Sequence, residues 1–380
     1  MVVTLERREM MAVTPVGSDV SFGSGRFPSW GDVDVRADGS GVAVTANVLT
    51  NGFPQDVVAS IFDTSGRVTR TLQVSPTNVE GRRFVEPRVA VASDRSFVVT
   101  MNTVGEPTQT GIVRFYDASG ALRSTVSMSM AVRGVDVGTG GRVVVVGIDA
   151  PGDVRARRFG LTGNQLGSQR IDVPGAGAVG ATVGVDSTGK YWLAWGELDQ
   201  ATAQVRARMF ESTGSARGGL LGFKPSANQA LVNPLIATSR TGEAVLAMAR
   251  SSASSGTFAS DIVGQRLSNS GRTTGSLFNV VTQITDTNFD LAMNASGQFV
   301  VGYRSGNRAF VRAYSPAAVL LGVAQANDNS RNTSTRQIAG SGGVGIGDRS
   351  ITAGFFTWSY PDSTRTLANR GQAFVRRLTF

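Results

Sequence analysis

Residues 183–195 read VGVDSTGKYWLAW, and this stretch decides the fold of the chain. It contains a short β segment, a turn that ends at Gly189, and a dense apolar strand that ends at Trp195. After a variable loop, residues 205–211 form a further candidate strand that leads to Gly214. Short apolar runs bounded by Gly, Ser and Asp are typical of strands and turns, and no helical period is sustained here.

The same pattern returns seven times along the 380 residues. Its two apolar strands recur at 97–101 with 112–117, at 142–146 with 154–159, at 244–248 with 262–271, and at 299–303 with 310–314. Degenerate copies span 33–66 and 344–380. The repeat therefore covers nearly the whole chain, and no segment inside it has the character of a linker between domains.

The spacing of the units predicts the architecture. The glycines that close five of them lie 54, 43, 51 and 57 residues apart; they are Gly66, Gly120, Gly163, Gly214 and Gly271. A period of roughly 40 to 50 residues is that of a four-stranded blade in a β-propeller. The consecutive apolar residues at 143–146 indicate a strand buried on both faces, as stacked blades require. We predict an all-β propeller of seven blades.

The two ends of the chain predict how the ring closes. Residues 19–22 read as an orphan fourth strand, whereas the last unit stops at its third strand, residues 373–380. An N-terminal strand that joins the last blade would remove two exposed sheet edges. We therefore predict a single propeller domain over 17–380, closed in this way, and a disordered or targeting-type tail over 1–16.

Cys and His are both absent from the sequence. Their absence excludes disulfide bonds, thiolate chemistry, Ser-His-Asp and Cys-His catalysis, and His-ligated zinc. Any remaining chemistry would use carboxylates, Tyr, Arg or a metal held by oxygen ligands. We expect no cofactor and no metal.

The chain is strongly basic, with a formal charge of +9 and a pI near 10.8. Lys occurs only at Lys190 and Lys224, so 35 of the 37 basic residues are Arg. The third strands carry Arg114, Arg157, Arg208, Arg312 and Arg376. A solvated strand face whose arginines pair with carboxylates of neighbouring blades explains this pattern better than a polyanion-binding ring. Aromatic residues interleaved with the basic ones, which single-strand nucleic acid binders need, are missing.

The loops between second and third strands gather on one face of a propeller, where functional residues are expected. The candidate ligand-binding residues there are Trp195, Glu197 and Asp199 in the fourth unit and Trp358, Tyr360 and Asp362 in the seventh. Aromatic rings and carboxylates together suit sugar binding. The competing interpretation is that each Trp packs at its strand end and the acids are ordinary solvated charges.

Residues 5–12, Leu-Glu-Arg-Arg-Glu-Met-Met-Ala, resemble the Leu-Glu-x-Arg-x-Leu-Leu segment near the start of many large exported bacterial proteins. Met10 and Met11 stand where Leu is usual. The resemblance implies export or display on the bacterial cell surface, and a short disordered tail is the alternative. No segment approaches the roughly 18 apolar residues of a membrane span, so no transmembrane segment is expected.

The repeat itself resembles uncharacterised bacterial propeller repeats with Val-Ala-x-Asp-x-x-Gly, a strand ending in Trp, and a later Arg-Phe-Asp-x-x-Gly. Trp195 and residues 205–214 fit this pattern best, whereas Gly147, Met248 and Tyr303 stand where Trp would be expected. The resemblance implies a propeller of secreted or surface proteins. It brings no catalytic residues to this chain.

Three classes of function remain open. The first is a non-enzymatic, exported or surface-displayed binding or scaffold module, a monomer whose partner is a glycan or another surface protein. The second is a carbohydrate-active hydrolase or lyase that uses paired loop carboxylates, which would lie about 5 to 10 Å apart. The third is a polyanion or nucleic acid binder, which the sequence favours least.

Overall fold

The computed structural model describes residues 14–22, 27–48, 54–76, 83–104, 110–150, 152–171, 177–199, 202–227, 229–252, 260–284, 287–306, 308–326, 336–348, 350–359 and 370–379. The regular elements in these ranges are strands, so the prediction of an all-β chain is confirmed.

The strands are numbered in chain order. They are β1 Thr14–Phe22, β2 Phe27–Val35, β3 Gly41–Val48, β4 Pro54–Phe62, β5 Val68–Gln73, β6 Arg83–Val91, β7 Phe97–Val104, β8 Gly111–Tyr116, β9 Leu122–Met128, β10 Ala131–Val137, β11 Arg142–Ile148, β12 Val154–Gly160, β13 Gln165–Arg170, β14 Ala178–Val185, β15 Tyr191–Asp199, β16 Thr202–Phe210, β17 Ala216–Phe223, β18 Gln229–Thr238, β19 Ala244–Ser252, β20 Ser260–Leu267, β21 Thr273–Ile284, β22 Phe289–Met293, β23 Phe299–Ser305, β24 Arg308–Tyr314, β25 Leu320–Gln325, β26 Arg336–Ile346, β27 Ser350–Ser359 and β28 Arg370–Thr379.

These strands form antiparallel sheets of four. Six sheets are built from consecutive strands, β2–β5, β6–β9, β10–β13, β14–β17, β18–β21 and β22–β25, and a seventh combines β26, β27 and β28 with β1. The innermost strands β2, β6, β10, β14, β18, β22 and β26 each contact the next around a common axis, and β26 contacts β2. This arrangement is a β-propeller, as the repeat spacing predicted.

The first strand of the chain lies in the same sheet as the last. β1 runs antiparallel to β28, with Val20 opposite Val375 and Phe22 opposite Ala373. Because β1 begins at Thr14, the strand extends three residues into the tail predicted over 1–16. Residues 1–13 lie outside the described residues.

Stacking of neighbouring sheets forms the core. In β15, Leu193 and Trp195 pack against the sheet of β10–β13, while Trp192 and Ala194 pack against the sheet of β18–β21. Both faces of this second strand are therefore buried, as its consecutive apolar residues predicted. Each fully buried large side chain contributes about 1.5 to 3 kcal/mol to folding.

A repeated turn joins each innermost strand to its second strand. After β14, Asp186 accepts hydrogen bonds from the backbone N–H groups of Thr188 and Lys190 at 2.8 and 2.9 Å. Gly189 closes the turn with a φ of 82°, which favours glycine. The turn fixes where the innermost strand ends and therefore which residues reach the axis.

Candidate functional site

A cavity of about 470 Å³ lies on the propeller axis, bounded by the seven innermost strands. Its lining includes residues of the turns that follow these strands, namely Ala37, Ser93, Thr139, Ser187, Arg240 and Ala295. The mouth of the cavity therefore lies on the face where innermost strands turn into second strands.

Four aspartates in the cavity wall join neighbouring sheets. Asp34, on β2, accepts a hydrogen bond from the backbone N–H of Val35 at 2.8 Å and another from that of Val91, on β6, at 2.7 Å. The other three act in the same way: Asp32 accepts from Val33 and Val89, Asp136 from Val137 and Val185, and Asp290 from Leu291 and Val344. Each carboxyl group thus bridges its own strand to the innermost strand of the next sheet.

The bridges provide acceptors for backbone N–H groups that the propeller fold leaves unpaired. An innermost strand pairs with its second strand on one side only, so alternate backbone N–H groups point toward the axis. A buried N–H without an acceptor costs free energy comparable to a lost hydrogen bond. In blade pairs that carry these aspartates, the side chain of one blade supplies the acceptor for the next.

Burial shifts the acidity of these groups. It raises the pKa of Asp34 to about 7 and that of Asp136 to about 6. Burial, and after it the negative charge of Asp32, raises the pKa of Asp290 to about 7, while Arg88 opposes the shift. Burial also raises the pKa of Asp32. An aspartate in water has a pKa of about 3.9. The aspartates of the cavity wall therefore gain and lose their protons much nearer to neutral pH than ordinary aspartates do.

Arginines bring positive charge to the same cavity. Arg133 donates from Nη1 to Oε2 of Glu86 at 2.6 Å, and Glu86 also accepts from Nδ2 of Asn102 at 3.0 Å. Arg88, on β6, lowers the pKa of the nearby acid Asp290 through its charge. Carboxyl and guanidinium groups that line one cavity suit a polar ligand.

The predicted residues Trp195 and Glu197 lie together at the far end of β15. Trp195 is 1% exposed and donates from Nε1 to Oε1 of Glu197 at 3.1 Å. Glu197 also accepts from Gln204 and Arg206, each at 3.0 Å. Trp195 thus has the packing role that was its alternative interpretation, and a sugar could stack on its ring only if this strand end opened. A ligand-binding role for either residue stays a prediction.

The other predicted residues are described only in part. Asp199 ends β15, where its backbone lies opposite Thr202, and Trp358 lies in β27 opposite Gly371. The side chains of Asp199 and Trp358 lie outside the described residues, as do Tyr360 and Asp362 entirely. The described ends of β15 and β27 lie on the face opposite the cavity mouth.

Other loop carboxylates on that face are held by arginines of their own sheet. Asp261 accepts from Arg250 at 2.7 Å. Asp149 forms an ion pair with Arg155. Together with Glu197 and Arg206, these pairs follow one pattern, in which an acid at or beside the connection between second and third strands forms an ion pair with an arginine of its own blade.

Two of the five third-strand arginines, Arg114 and Arg312, donate to backbone carbonyls. Arg114 donates to the carbonyl of Val74, and Arg312 donates to the carbonyl of Val280 at 2.6 Å. Both carbonyls belong to the preceding blade. The prediction that these two arginines pair with neighbouring carboxylates is therefore wrong, because their acceptors are backbone carbonyls of the preceding blade. Their guanidinium groups serve contacts between blades.

The bridging aspartates were not among the residues predicted from the sequence. The available signal was the alternation Asp32-Val33-Asp34-Val35, in which acids alternate with apolar residues. Such a pattern indicates acids that share one side of a strand. Their acceptor role depends on amides 57 residues away, which the alternation alone does not identify.

Comparison with known proteins supports the fold. No family model matches the chain, and no curated protein matches it. Among solved structures, a protein of unknown function from Dyadobacter fermentans has a TM-score of 0.60 at 9% identity, with 97% of this chain and 100% of that chain covered. The polysaccharide lyase Uly1 has a TM-score of 0.59 at 9% identity, with 94% and 91% covered.

These likenesses establish a shared architecture. The chain is a β-propeller. At 9% identity neither structure carries its activity over to this chain. In the part of the chain that the structure describes, no helix has the length and apolar character to cross a membrane. Among the described side chains, no group of three or more acids is placed to hold a metal ion.

Proposed function

We propose that this propeller is a non-enzymatic binding or scaffold module that takes a polar ligand at its central cavity. The observation that carries the proposal is the half-open central cavity of about 470 Å³, which is lined by both carboxyl and guanidinium groups. The proposal includes export or display on a bacterial surface, a glycan or another surface protein as partner, a monomeric state, and a ring of seven blades closed by β1.

The contacts of the acids support binding over catalysis. Asp34 and Asp136 each already hold two backbone amides, and the loop acids Glu197 and Asp261 are paired with arginines. A general acid or base must be able to approach the proton that it transfers. These carboxyl groups are committed to the fold instead.

A carbohydrate-active hydrolase or lyase is the second candidate. The raised pKa values of Asp34 and Asp290, both about 7, favour it, since a carboxyl group that holds its proton near neutral pH can act as an acid. The similarity in fold to a polysaccharide lyase makes this class worth testing. The activity would require one of these acids to release its backbone amides during turnover.

Glycan arrays probed with the full chain and with single variants test the proposal. If the ligand enters the cavity, Arg88→Gln should lose glycan signal while Tyr360→Ala keeps it. If Tyr360→Ala lost the signal and Arg88→Gln kept it, the binding site would be the predicted cluster of Trp358, Tyr360 and Asp362 instead. The same glycans should remain intact after long incubation, and release of new reducing ends or of unsaturated sugars would establish the enzymatic alternative.

Export needs a separate experiment. Fractionation of the native host, followed by intact-mass measurement of the N-terminus, should place the protein outside the cytoplasm or on the surface. A protein recovered only from the cytoplasm with its first residues intact would contradict export. The resemblance of residues 5–12 to segments of exported proteins would then have no functional meaning.

A further inference from the structure

Seven backbone amides form a ring at one level of the cavity. They belong to the residues that end the innermost strands, namely Val35, Val91, Val137, Val185, Thr238, Met293 and Ile346. Each of the seven lies directly before the residue whose backbone N–H closes the turn. After Val35, for example, the N–H of Arg36 donates to the carbonyl of Ser40, and after Met293 the N–H of Asn294 donates to the carbonyl of Gln298. The pairing therefore leaves each of these seven N–H groups pointing to the axis rather than to the second strand.

Side-chain carboxylates already occupy four of these amides. Asp34 bridges those of Val35 and Val91, and Asp136 bridges those of Val137 and Val185. In both bridges, the acid is the residue just before the strand end in the first strand of the pair. The fold thus shows what fits between two adjacent amides of this ring, namely one carboxylate with one oxygen on each N–H.

The other three amides are consecutive around the ring and lack this acceptor. They belong to Thr238, Met293 and Ile346, which all line the cavity. The positions equivalent to Asp34 hold Ala237, Ala292 and Gly345. Among the described residues, no turn or loop carbonyl and no side-chain oxygen accepts a hydrogen bond from these three amides.

At one of the three positions equivalent to Asp34, packing leaves no room for a side chain that could accept from the amides. A Cβ added at Gly345 would lie 2.4 Å from Cγ2 of Val35, so the last blade has no room for a side chain there. Ala292 and Ala237, in contrast, line the open space of the cavity. Backbone N–H groups without an acceptor in a cavity wall are a ready site for an anion.

We infer that the carboxylate of an acidic sugar, such as a uronate, binds to two adjacent amides of this set, with one oxygen on the amide of Met293 and the other on that of Thr238 or Ile346. This inference rests on the proposed function, for which it names the ligand class. The ligand carboxylate takes the place that Asp34 and Asp136 fill on the other side of the ring. Arg240, an exposed cavity residue in the turn after β18, supplies positive charge at the mouth.

NMR spectroscopy of the 15N-labelled full chain tests the site directly. Sodium glucuronate is titrated at pH 6, where the raised pKa of Asp290, about 7, keeps that neighbouring acid mostly neutral. The amide signals of Thr238, Met293 and Ile346 should shift in a saturable way. Those of Val35 and Val91 should stay in place because Asp34 holds them. Glucose at the same concentration should leave all five unchanged, and sodium acetate should shift the first three weakly.

Two substitutions of equal charge separate the site from general electrostatics. Ala292→Asp places a carboxyl group where it can bridge Met293 and Ile346, and it should weaken glucuronate binding by about tenfold or more. Ala118→Asp adds the same charge in the exposed turn after β8, outside the cavity lining, and should keep affinity within about twofold. If Ala292→Asp lowers the melting temperature, Ala237→Asp repeats the test between Thr238 and Met293.

The outcomes distinguish this inference from the proposed function. Equal binding of glucuronate by the wild type and Ala292→Asp would overturn the carboxylate site, as would equal binding of glucose and glucuronate. A positive glycan array without amide shifts from glucuronate would also overturn it, while leaving the binding function in place. A negative array together with no glucuronate binding would overturn both.

Discussion

A single carboxyl group at Asp34 satisfies two backbone amides that belong to different sheets. We predict that Asp34→Ala lowers the free energy of unfolding by about 2 kcal/mol or more, because each buried amide that loses its acceptor costs about 1 to 3 kcal/mol. Urea titration followed by tryptophan fluorescence measures the change. Asp63→Ala is the matched control, since Asp63 accepts only from Ser65 and Arg67 in an exposed turn. Equal losses in the two variants would contradict the bridging role.

The acidity of the cavity wall predicts how stability depends on pH. Asp34, Asp136 and Asp290 have folded-state pKa values of about 7, 6 and 7, above the ordinary value of 3.8. At pH values between the unfolded pKa and the folded pKa of these acids, the folded chain holds protons that the unfolded chain has released. The free energy of unfolding therefore falls as pH rises through this range. We expect the melting temperature to drop by about 5 °C or more from pH 5 to pH 8.

Calorimetry across this pH range checks the prediction, with Asp136→Asn as the variant that should flatten the slope. Acids with lowered pKa values do not compete in this window. Asp63, for example, titrates near 2 because Ser65 and Arg67 hold its charged form, so its effect appears only in stronger acid. A melting temperature that rises from pH 5 to pH 8 would show that the cavity acids are ionised throughout.

At the scale of elements, local patterns were enough to predict strands but not the contacts between blades. The run at 143–146 identified β11 as a strand buried on both faces, since each of these four valines is at most 1% exposed. The turn after β14 could be predicted from Asp186 and Gly189 because its hydrogen bonds are local. The bridge from Asp34 to Val91 could not, since it depends on the register between separate sheets.

Side-chain truncation should cost more stability in a second strand than in an outer strand. Val145, in β11, is 0% exposed, whereas Leu166, in the outer strand β13 of the same sheet, is 39% exposed. We expect Val145→Ala to cost about 2 kcal/mol through lost burial and a small cavity, and Leu166→Ala to change stability by less than about 0.5 kcal/mol. Chemical denaturation of both variants measures this contrast, and a larger loss in the outer strand would contradict the placement of the core.

The whole ring depends on sheets that cover one another, and its weakest place is where the two ends of the chain meet. Six sheets hold strands that are consecutive in sequence, so chain connectivity keeps each of them together, whereas β1 joins β26, β27 and β28 only through noncovalent contacts. The repeat spacing predicted the propeller, and the surplus strand at 19–22 predicted a partner for the last unit. The candidate cavity, however, forms only where all the innermost strands meet, so no local sequence motif could predict it.

Deletion of residues 1–24 tests this junction. Without β1, the edge of β28 is left unpaired, and the backbone groups opposite Val20 and Phe22 lose their partners. We expect the melting temperature to fall by about 10 °C or more and the protein to self-associate through the new edge. Deletion of residues 1–13 is the control, because it leaves β1 whole and should not change the transition. If both truncated chains melt with the full-length protein, the pairing of β1 with β28 contributes nothing to stability, and the first and last sheets hold together through the contacts of β2 with β26, β27 and β28.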